Sequence, residues 1–147
     1  MPLWEWLNGP KQAQQSSAQD HKDELPERGR NSTTSRQRTG DEGEQRALLY
    51  LQQKGMTLVE RNFLCKGGEI DLVMQDGKGL VFVEVRSRNS SQFGGAIASV
   101  TPAKQRRMVI AAQVFLQAYK RPPACRFDLI CIQNGELDWL QDVITGQ

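Results

Sequence analysis

The chain has 147 residues, with 19 Lys and Arg against 17 Asp and Glu and a formal net charge of +2. This length is about that of one domain, and so small a net charge excludes a general polycation that would bind nucleic acid over its whole surface. No apolar run reaches the roughly 18–20 residues that a membrane span needs, so we expect a cytoplasmic protein without membrane contact.

The cysteines and the single histidine argue against two kinds of site. Cys65, Cys125 and Cys131 form no C-x-x-C pair and have no neighbouring histidine, so neither a zinc site nor a disulfide framework is expected. His21 lies in a polar leader, so catalysis by histidine is not expected either.

The first forty residues predict a leader ahead of one folded domain. Residues 8–39 are rich in Gln, Ser, Pro, Asp, Lys and Arg and contain almost no large apolar side chain. Such a segment cannot bury enough apolar surface to offset the entropy that folding costs. We therefore predict a disordered polar leader at 1–38 and one folded domain at 39–147. Trp4 and Trp6 are either a docking element or a chance apolar tip.

A first helix is predicted between Asp41 and Gly55. Asp41 suits the N-cap, and Gly55 suits the C′ position just after a helix. The core-facing positions, spaced i, i+3, i+4 and i+7, are Glu44, Ala47, Leu48 and Leu51. Glu44 ends this stripe, and two interpretations of it stay open: a favourable charge near the helix N-terminus, or a functional carboxylate.

Three strands are predicted to follow this helix. Residues 56–65 form the first, with Arg61-Asn62 as a break or bulge. Residues 68–74 and 80–86 alternate between apolar and charged side chains with a period of two, which indicates strands. The polar, glycine-bearing segment 75–79 closes these two strands into a hairpin.

The hairpin register follows from its loop. A loop centred on residues 77–78 sets Asp71 opposite Glu84 and Glu69 opposite Arg86. Side chains alternate along a strand, so one face is mostly charged and the other wholly apolar. The charged face carries Glu69, Asp71, Val73, Phe82, Glu84 and Arg86, and the apolar face carries Ile70, Leu72, Met74, Val81, Val83 and Val85.

The opposed carboxylates Asp71 and Glu84 need a positive partner. Opposed Cβ atoms are only ~4.5–5.5 Å apart, so like charges there destabilise a sheet. One partner is a divalent cation, Mg²⁺ or Mn²⁺, since hard cations bind oxygen ligands, and the other is Arg86. The alternative is a plain sheet face with ion pairs from Arg86 to Glu69 and Asp71. The neighbouring apolar side chains favour a partly buried surface, where an unpaired charge is costly.

The second half of the chain predicts a polar loop at 88–99, a helix and two strands. Thr101 caps the helix, Pro102 takes its first position and Pro122 ends it. Its apolar stripe is Met108, Ala111, Ala112, Phe115 and Tyr119. Residues 124–133 form a buried strand, parallel to its neighbour because it follows a crossover helix, and residues 137–143 form an edge strand.

Basic residues are concentrated in this half. Between positions 84 and 126 there are eight Lys and Arg against one acid, Glu84. Arg88, Lys104 and Arg107 are the candidates for contacts with nucleic-acid phosphates. Arg106 is interpreted as solvated, and Asp128 is predicted to have a structural, hydrogen-bonding role.

Several motifs resemble those of a known family. Glu69-x-Asp71, a glycine-bearing loop and Glu84-x-Arg86 resemble the active-site hairpin of the PD-(D/E)xK nuclease superfamily. The runs GEIDL at 68–72, VFVEVR at 81–86 and RFD at 126–128 resemble more closely the YraN-type bacterial family, which is similar in fold to archaeal Holliday-junction resolvases. The resemblance implies an α/β, restriction-endonuclease-like core of order α-β-β-β-α-β, with a mixed sheet flanked by helices.

The resemblance also implies a function. It implies a metal-dependent DNA endonuclease, with branched DNA as one candidate substrate. Asp71 and Glu84 would hold Mg²⁺ or Mn²⁺, with Glu69 or Glu44 assisting through water; Glu44 matches a glutamate on the first helix of resolvase-like nucleases. Arg86 stands where the superfamily has a lysine. It can stabilise negative charge on a phosphate, but it stays protonated and cannot act as a general base.

This replacement motivates an alternative: a non-catalytic nucleic-acid-binding module on the same scaffold. Both interpretations predict nucleic acid, with DNA as the first candidate, as the partner. Both leave a homodimer open.

Overall fold

The computed structural model describes residues 35–88 and 100–144. The predicted leader therefore falls outside the description up to residue 34, and the predicted loop falls outside it from residue 89. The described elements are α1 (Ser35–Gln53), β1 (Thr57–Cys65), β2 (Gly68–Asp76), β3 (Gly79–Arg88), α2 (Pro102–Leu116), β4 (Cys125–Gln133) and β5 (Glu136–Leu140). This order confirms the predicted α/β fold with its α-β-β-β-α-β arrangement and a final edge strand.

The five strands form one mixed sheet in the order β1-β2-β3-β4-β5. β3 and β4 run parallel, as predicted for strands joined by a crossover helix, and the other neighbours are antiparallel. Because α1 covers one face and α2 the other, the charged end of the central hairpin lies between two helices. No helix within 35–88 or 100–144 is long and apolar enough to cross a membrane.

Two apolar clusters hold the helices on the sheet. The cluster with α1 includes Ala47, Leu48, Leu51, Leu72, Met74, Val81, Val83, Ile130 and Ile132. The cluster with α2 includes Ile70, Val73, Phe82, Met108, Ala111, Ala112 and Phe127. Strict alternation was therefore wrong for Ile70, which was predicted to share a face with Leu72. The regular pairing of β2 with β3 ends at Leu72 and Val83, and the alternation is lost at the same place.

The first helix begins earlier than predicted. It starts at Ser35, so Asp41 lies inside it and is not its N-cap. Its end is as predicted: Gly55 has φ +90 and its N–H donates to the Gln52 carbonyl over 3.0 Å, while Met56 N–H donates to Leu51 over 3.2 Å. These two bonds satisfy carbonyls that a helix end leaves free.

The second helix begins as predicted and ends sooner. The Thr101 hydroxyl accepts from Lys104 N–H, and Pro102 takes the first helical position. The helix ends at Leu116, six residues before Pro122, so Tyr119 lies beyond it and is 36% exposed. A residue before a proline is kept out of the helical region, but nothing requires a helix to continue until it meets one.

The buried carboxylate of Asp128 has the structural role predicted for it. Its oxygens accept from Arg126 Nε at 3.1 and 3.2 Å, from Trp139 Nε1 at 2.9 Å and from Asp142 N–H at 3.0 Å. The last bond, with one from Val143 N–H to the Phe127 carbonyl, turns the chain back over β4. This explains why β5 ends at position 140 and not at 143 as predicted.

Candidate functional site

Asp71 and Glu84 meet at the end of the central hairpin. The β2–β3 register, followed one step beyond Leu72 and Val83, sets Asp71 across from Glu84 as predicted. The two carboxyl groups are hydrogen-bonded to each other. Asp71 Oδ2 also accepts from Val85 N–H at 2.8 Å, so a hydrogen bond to a side chain stands where the β2–β3 ladder would have a backbone bond. Glu84 is only 8% exposed and Asp71 is half-buried, so the pair is largely shielded from water.

Burial makes this pair hold a proton. It raises the pKa of Asp71 to about 7, the charge of Glu84 adds to the rise, and the N–H of Val85 opposes it. Burial also raises the pKa of Glu84, against the opposing charge of Arg86. A bond between two carboxyl groups needs a proton, and the raised pKa of Asp71 makes this residue the donor. Near neutral pH the two acids therefore titrate as one unit.

Arg86 lies beside the pair, as one of the two positive partners predicted for the opposed acids. Its Nη2 is 3.0 Å from Glu84 Oε1, two positions back on the same strand face. A cross-strand pair with Glu69 does not form, because the β2–β3 ladder has already ended. Arg86 Nε is buried and has no hydrogen-bond partner. An unsatisfied buried donor costs about 1–3 kcal/mol, so this position favours a ligand with an acceptor oxygen.

A shallow pocket joins the acids to two basic side chains of α2. It is lined by Glu69, Glu84, Arg86, Lys104, Arg107 and Met108. Lys104 and Arg107 thus face the sheet as predicted, and Arg106 is exposed as predicted. Arg107 Nη2 is 3.9 Å from Glu69 Oε1, and both side chains are more than half exposed, so Glu69 is a rim acid. Arg88 ends β3, but its side chain is outside the described part.

Gly68 explains how α2 comes so close to the acids. A Cβ at this position would lie 2.3 Å from the Arg107 carbonyl oxygen and 2.8 Å from the Ala111 nitrogen. Contacts that short do not occur, so only glycine permits this approach of helix to strand. The glycine therefore sets the distance between the basic wall and the carboxylates.

Glu44 reaches the pair from the other helix. Its side chain is 15% exposed. Burial and then the charge of Asp71 raise its pKa, while hydrogen bonds from Arg61 and Asn62 lower it. Gly43, whose added Cβ would be 3.2 Å from Ser87 Cβ, brings this turn of α1 against the end of β3. The side chain of Glu44, at the end of the core-facing stripe, is thus near enough to Asp71 for the charge of Asp71 to raise its pKa.

Arg61 and Asn62 are members of this site that the sequence did not assign. Arg61 Nε is 3.4 Å from Glu44 Oε2, and its other nitrogens donate to Gln45 Oε1 at 2.9 Å and to the Asp41 carbonyl at 3.4 Å. The sequence signal that could have identified them is the polar pair within an otherwise apolar strand. It was interpreted as a break or bulge, whereas the β-bulge lies earlier, between Leu58 and Glu60.

The acids fit a magnesium-type site of few protein ligands. Among residues 35–88 and 100–144, no three His, Cys, Asp or Glu side chains stand close enough to hold a metal ion by themselves. Mg²⁺ is usually held by one or two carboxylates with waters and substrate phosphates, so the Asp71–Glu84 pair meets that requirement. Glu44 feels the charge of Asp71, and Glu69 lines the same pocket as Glu84, so these are the two further acids nearest to hand for a water on the cation.

Comparisons with known proteins identify the relatives of this chain. A family model described as uncharacterised protein family UPF0102 matches residues 43–132, a stretch that contains every side chain of the site. The chain is 61% identical over 113 residues to a UPF0102 protein of Herminiimonas arsenicoxydans, covering 77% of this chain and 91% of that protein. It is 60% identical over 113 residues to one of Janthinobacterium sp. (strain Marseille), covering 77% and 92%. These matches confirm the predicted family.

Proposed function

The chain belongs to the UPF0102 family, and we propose that it is a metal-dependent endonuclease that hydrolyses phosphodiester bonds of DNA. The observation that carries this proposal is the hydrogen-bonded pair of the half-buried Asp71 and the buried Glu84, with Glu84 facing Lys104 and Arg107 across one pocket. Acids of this kind bind a hard cation, and Lys104 and Arg107 suit the phosphates of a nucleic-acid backbone. The order of the acids along the hairpin supports a relation to the PD-(D/E)xK nucleases.

Asp71 and Glu84 are the residues that would hold Mg²⁺ or Mn²⁺. When bound, such an ion supplies Lewis-acid stabilisation of charge on a phosphoryl oxygen and makes water more acidic. The cation would also take the place of the proton that the pair otherwise shares. Glu69, on the rim, is placed to accept hydrogen bonds from waters that enter the pocket.

Two further roles fall to Arg86 and Glu44: binding the phosphate and taking a proton from water. The unsatisfied Nε of Arg86 can donate to a phosphate oxygen, and a guanidinium holds phosphate with two parallel bonds. It cannot take a proton from water, since it stays charged. Glu44 can do so, because its raised pKa brings its basicity toward neutral pH, where a general base works best.

A second candidate function is binding of nucleic acid without cleavage. The 3.0 Å ion pair between Arg86 and Glu84 favours it, because it neutralises one of the two acids that would hold the cation. In this case Arg86, Lys104 and Arg107 would form a phosphate-binding surface. The acids would then serve only to orient Arg86.

Incubation with branched, single-stranded and duplex DNA in the presence of Mn²⁺ separates the two candidates. We expect cleavage by the parent protein and loss of about 100-fold or more in Asp71→Asn and Glu84→Gln, the size seen when one group that stabilises a transition state is removed. Glu136→Gln, an exposed acid at the start of β5, is the matched control. Binding of DNA without cleavage by any of these proteins would favour the second candidate. The homodimer and the cytoplasmic location stay predictions.

A further inference from the structure

A β-bulge in the edge strand determines which side chain lies level with Asp71. Leu58 pairs with Met74 but Glu60 with Val73, so Val59 is an extra residue in β1. Beyond it, Arg61 pairs with Leu72 and Phe63 with Ile70, which leaves Asn62 level with Asp71. Without the extra residue, that position would belong to Arg61. Bulges of this kind re-aim side chains.

The backbone at Asn62 is also unusual. Its φ is +54, in the left-handed region, although it lies inside a strand. Asparagine is one of the few residues other than glycine that adopts this conformation without large cost. Its side chain lies close enough to the Glu44 carboxylate of α1 to lower the pKa of Glu44 as a hydrogen-bond donor. The bulge and the left-handed backbone at Asn62 together thus direct this side chain of β1 toward Glu44.

Arg61 reinforces the same contact from the neighbouring position. Its guanidinium bonds to Glu44, Gln45 and the Asp41 carbonyl, which spans one turn of α1 and joins the helix to the edge strand. Glu44 consequently has donors on one side and the charge of Asp71 on the other. A partly buried carboxylate without those donors would turn away from the Asp71–Glu84 pair, which keeps one negative charge when it shares a single proton, because like charges repel at short range.

We propose that Arg61 and Asn62 are positioning residues that hold the Glu44 carboxylate toward the Asp71–Glu84 pair, where it would accept a hydrogen bond from a water on a divalent cation held by that pair. This inference rests on the proposed function, since it assumes that the pair binds a cation. It assigns a role to two side chains that touch neither the cation nor DNA. Their effect on cation affinity passes entirely through Glu44.

The test is the Mn²⁺ dissociation constant, measured by calorimetry on the intact chain. Glu44→Gln, Arg61→Met and Asn62→Gly are each expected to weaken binding by about 10-fold, the lower end for residues that support a metal ligand. Glycine is chosen at position 62 because it keeps the left-handed backbone and removes only the side chain. Arg61→Lys should recover much of the loss, because it keeps a positive charge beside Glu44.

Two control variants and a double-mutant cycle make the result specific. Asn134→Gly removes the side chain of another left-handed asparagine, φ +52, in the β4–β5 turn, and Arg46→Met removes an α1 arginine bonded to the Gly135 carbonyl. Both should bind Mn²⁺ like the parent. In the Glu44→Gln background, Arg61→Met and Asn62→Gly should add no further loss.

The outcomes distinguish this inference from the proposed function. Suppose that the parent binds Mn²⁺ and that Glu44→Gln weakens this binding. If the variants at positions 61 and 62 then bind like the parent, or add their losses to that of Glu44→Gln, the positioning role is overturned and the cation site stands. If Glu44→Gln has no effect, the inference is likewise overturned. A parent that binds no Mn²⁺ at millimolar concentration overturns the cation site and this inference with it.

Discussion

Replacing Asp71 by asparagine should stabilise the metal-free protein, and increasingly so as the pH rises. The amide oxygen can still accept from Val85 N–H, and the amide NH₂ can donate to Glu84 as the protonated carboxyl does. Asparagine therefore imitates the neutral acid and cannot ionise. Any difference in the free energy of unfolding between the two proteins then measures the cost of keeping Asp71 protonated, or of ionising it away from water.

The magnitude follows from proton linkage. The folded protein keeps the Asp71 proton up to a pKa of about 7, whereas an unfolded chain loses it near ~3.9. Stability from this group is therefore fully present below about pH 4 and is lost as the pH rises through about 7. Each pKa unit corresponds to about 1.4 kcal/mol, which makes the whole loss about 4 kcal/mol. Roughly 2–3 kcal/mol of it falls between pH 5 and pH 8.

Urea unfolding at pH 5, 6, 7 and 8 with a chelator present measures this difference. The free energy of unfolding of Asp71→Asn minus that of the parent should grow by about 2 kcal/mol over the series. Asp138→Asn, which removes an exposed acid of β5, controls for the general effect of losing one carboxylate. A difference that stays constant with pH would refute the claim that burial keeps Asp71 protonated.

Two further predictions concern the packing of α2 and the basic residues. Gly68→Ala should lower the free energy of unfolding by about 3 kcal/mol, the upper end for overpacking, because the new Cβ meets helix backbone; Gly40→Ala, with nothing within 4 Å, should leave it unchanged or slightly raised. Arg88→Ala, Lys104→Ala and Arg107→Ala should each weaken DNA binding similarly across sequences and reduce the salt slope by about one unit. Lys120→Ala, an exposed lysine beyond the helix, should change neither, and equal slopes in all four variants would contradict the phosphate contacts.

The meeting of Asp71 with Glu84 could be predicted because it depends on local information. A two-residue loop fixes the register of a hairpin, and the side-chain period then fixes which residues are opposed. Repulsion between the two acids is expected from the sequence, whereas burial is the larger cause of the raised pKa of Asp71. The helix that buries the pair arrives from thirty residues further along the chain, so the sequence of the hairpin does not reveal how dry the site is.

Arg61 and Asn62 could not be assigned, because their role depends on two features that have no sequence signature here. The bulge at Val59 shifts the register of β1 by one residue, and no glycine marks it. The contact with Glu44 joins a strand to a helix, and the distance between them is set by packing. The same limitation explains the wrong start of α1, whose sequence offers Asp41 as a cap that the longer helix does not use.

The single parallel pair of the sheet bears on the order in which the protein folds. β1, β2 and β3 are joined by tight turns, but β3 meets β4 through residues about 45 positions apart. Closing a loop of that length costs more entropy than closing a turn, and non-local pairings are slow. We expect the three-strand meander to form first, with Asp71 and Glu84 collected while still in water. The acids then lose water only when α2 and β4 dock late in folding. Their mutual repulsion therefore raises the free energy of the last folding step and has little effect on the first.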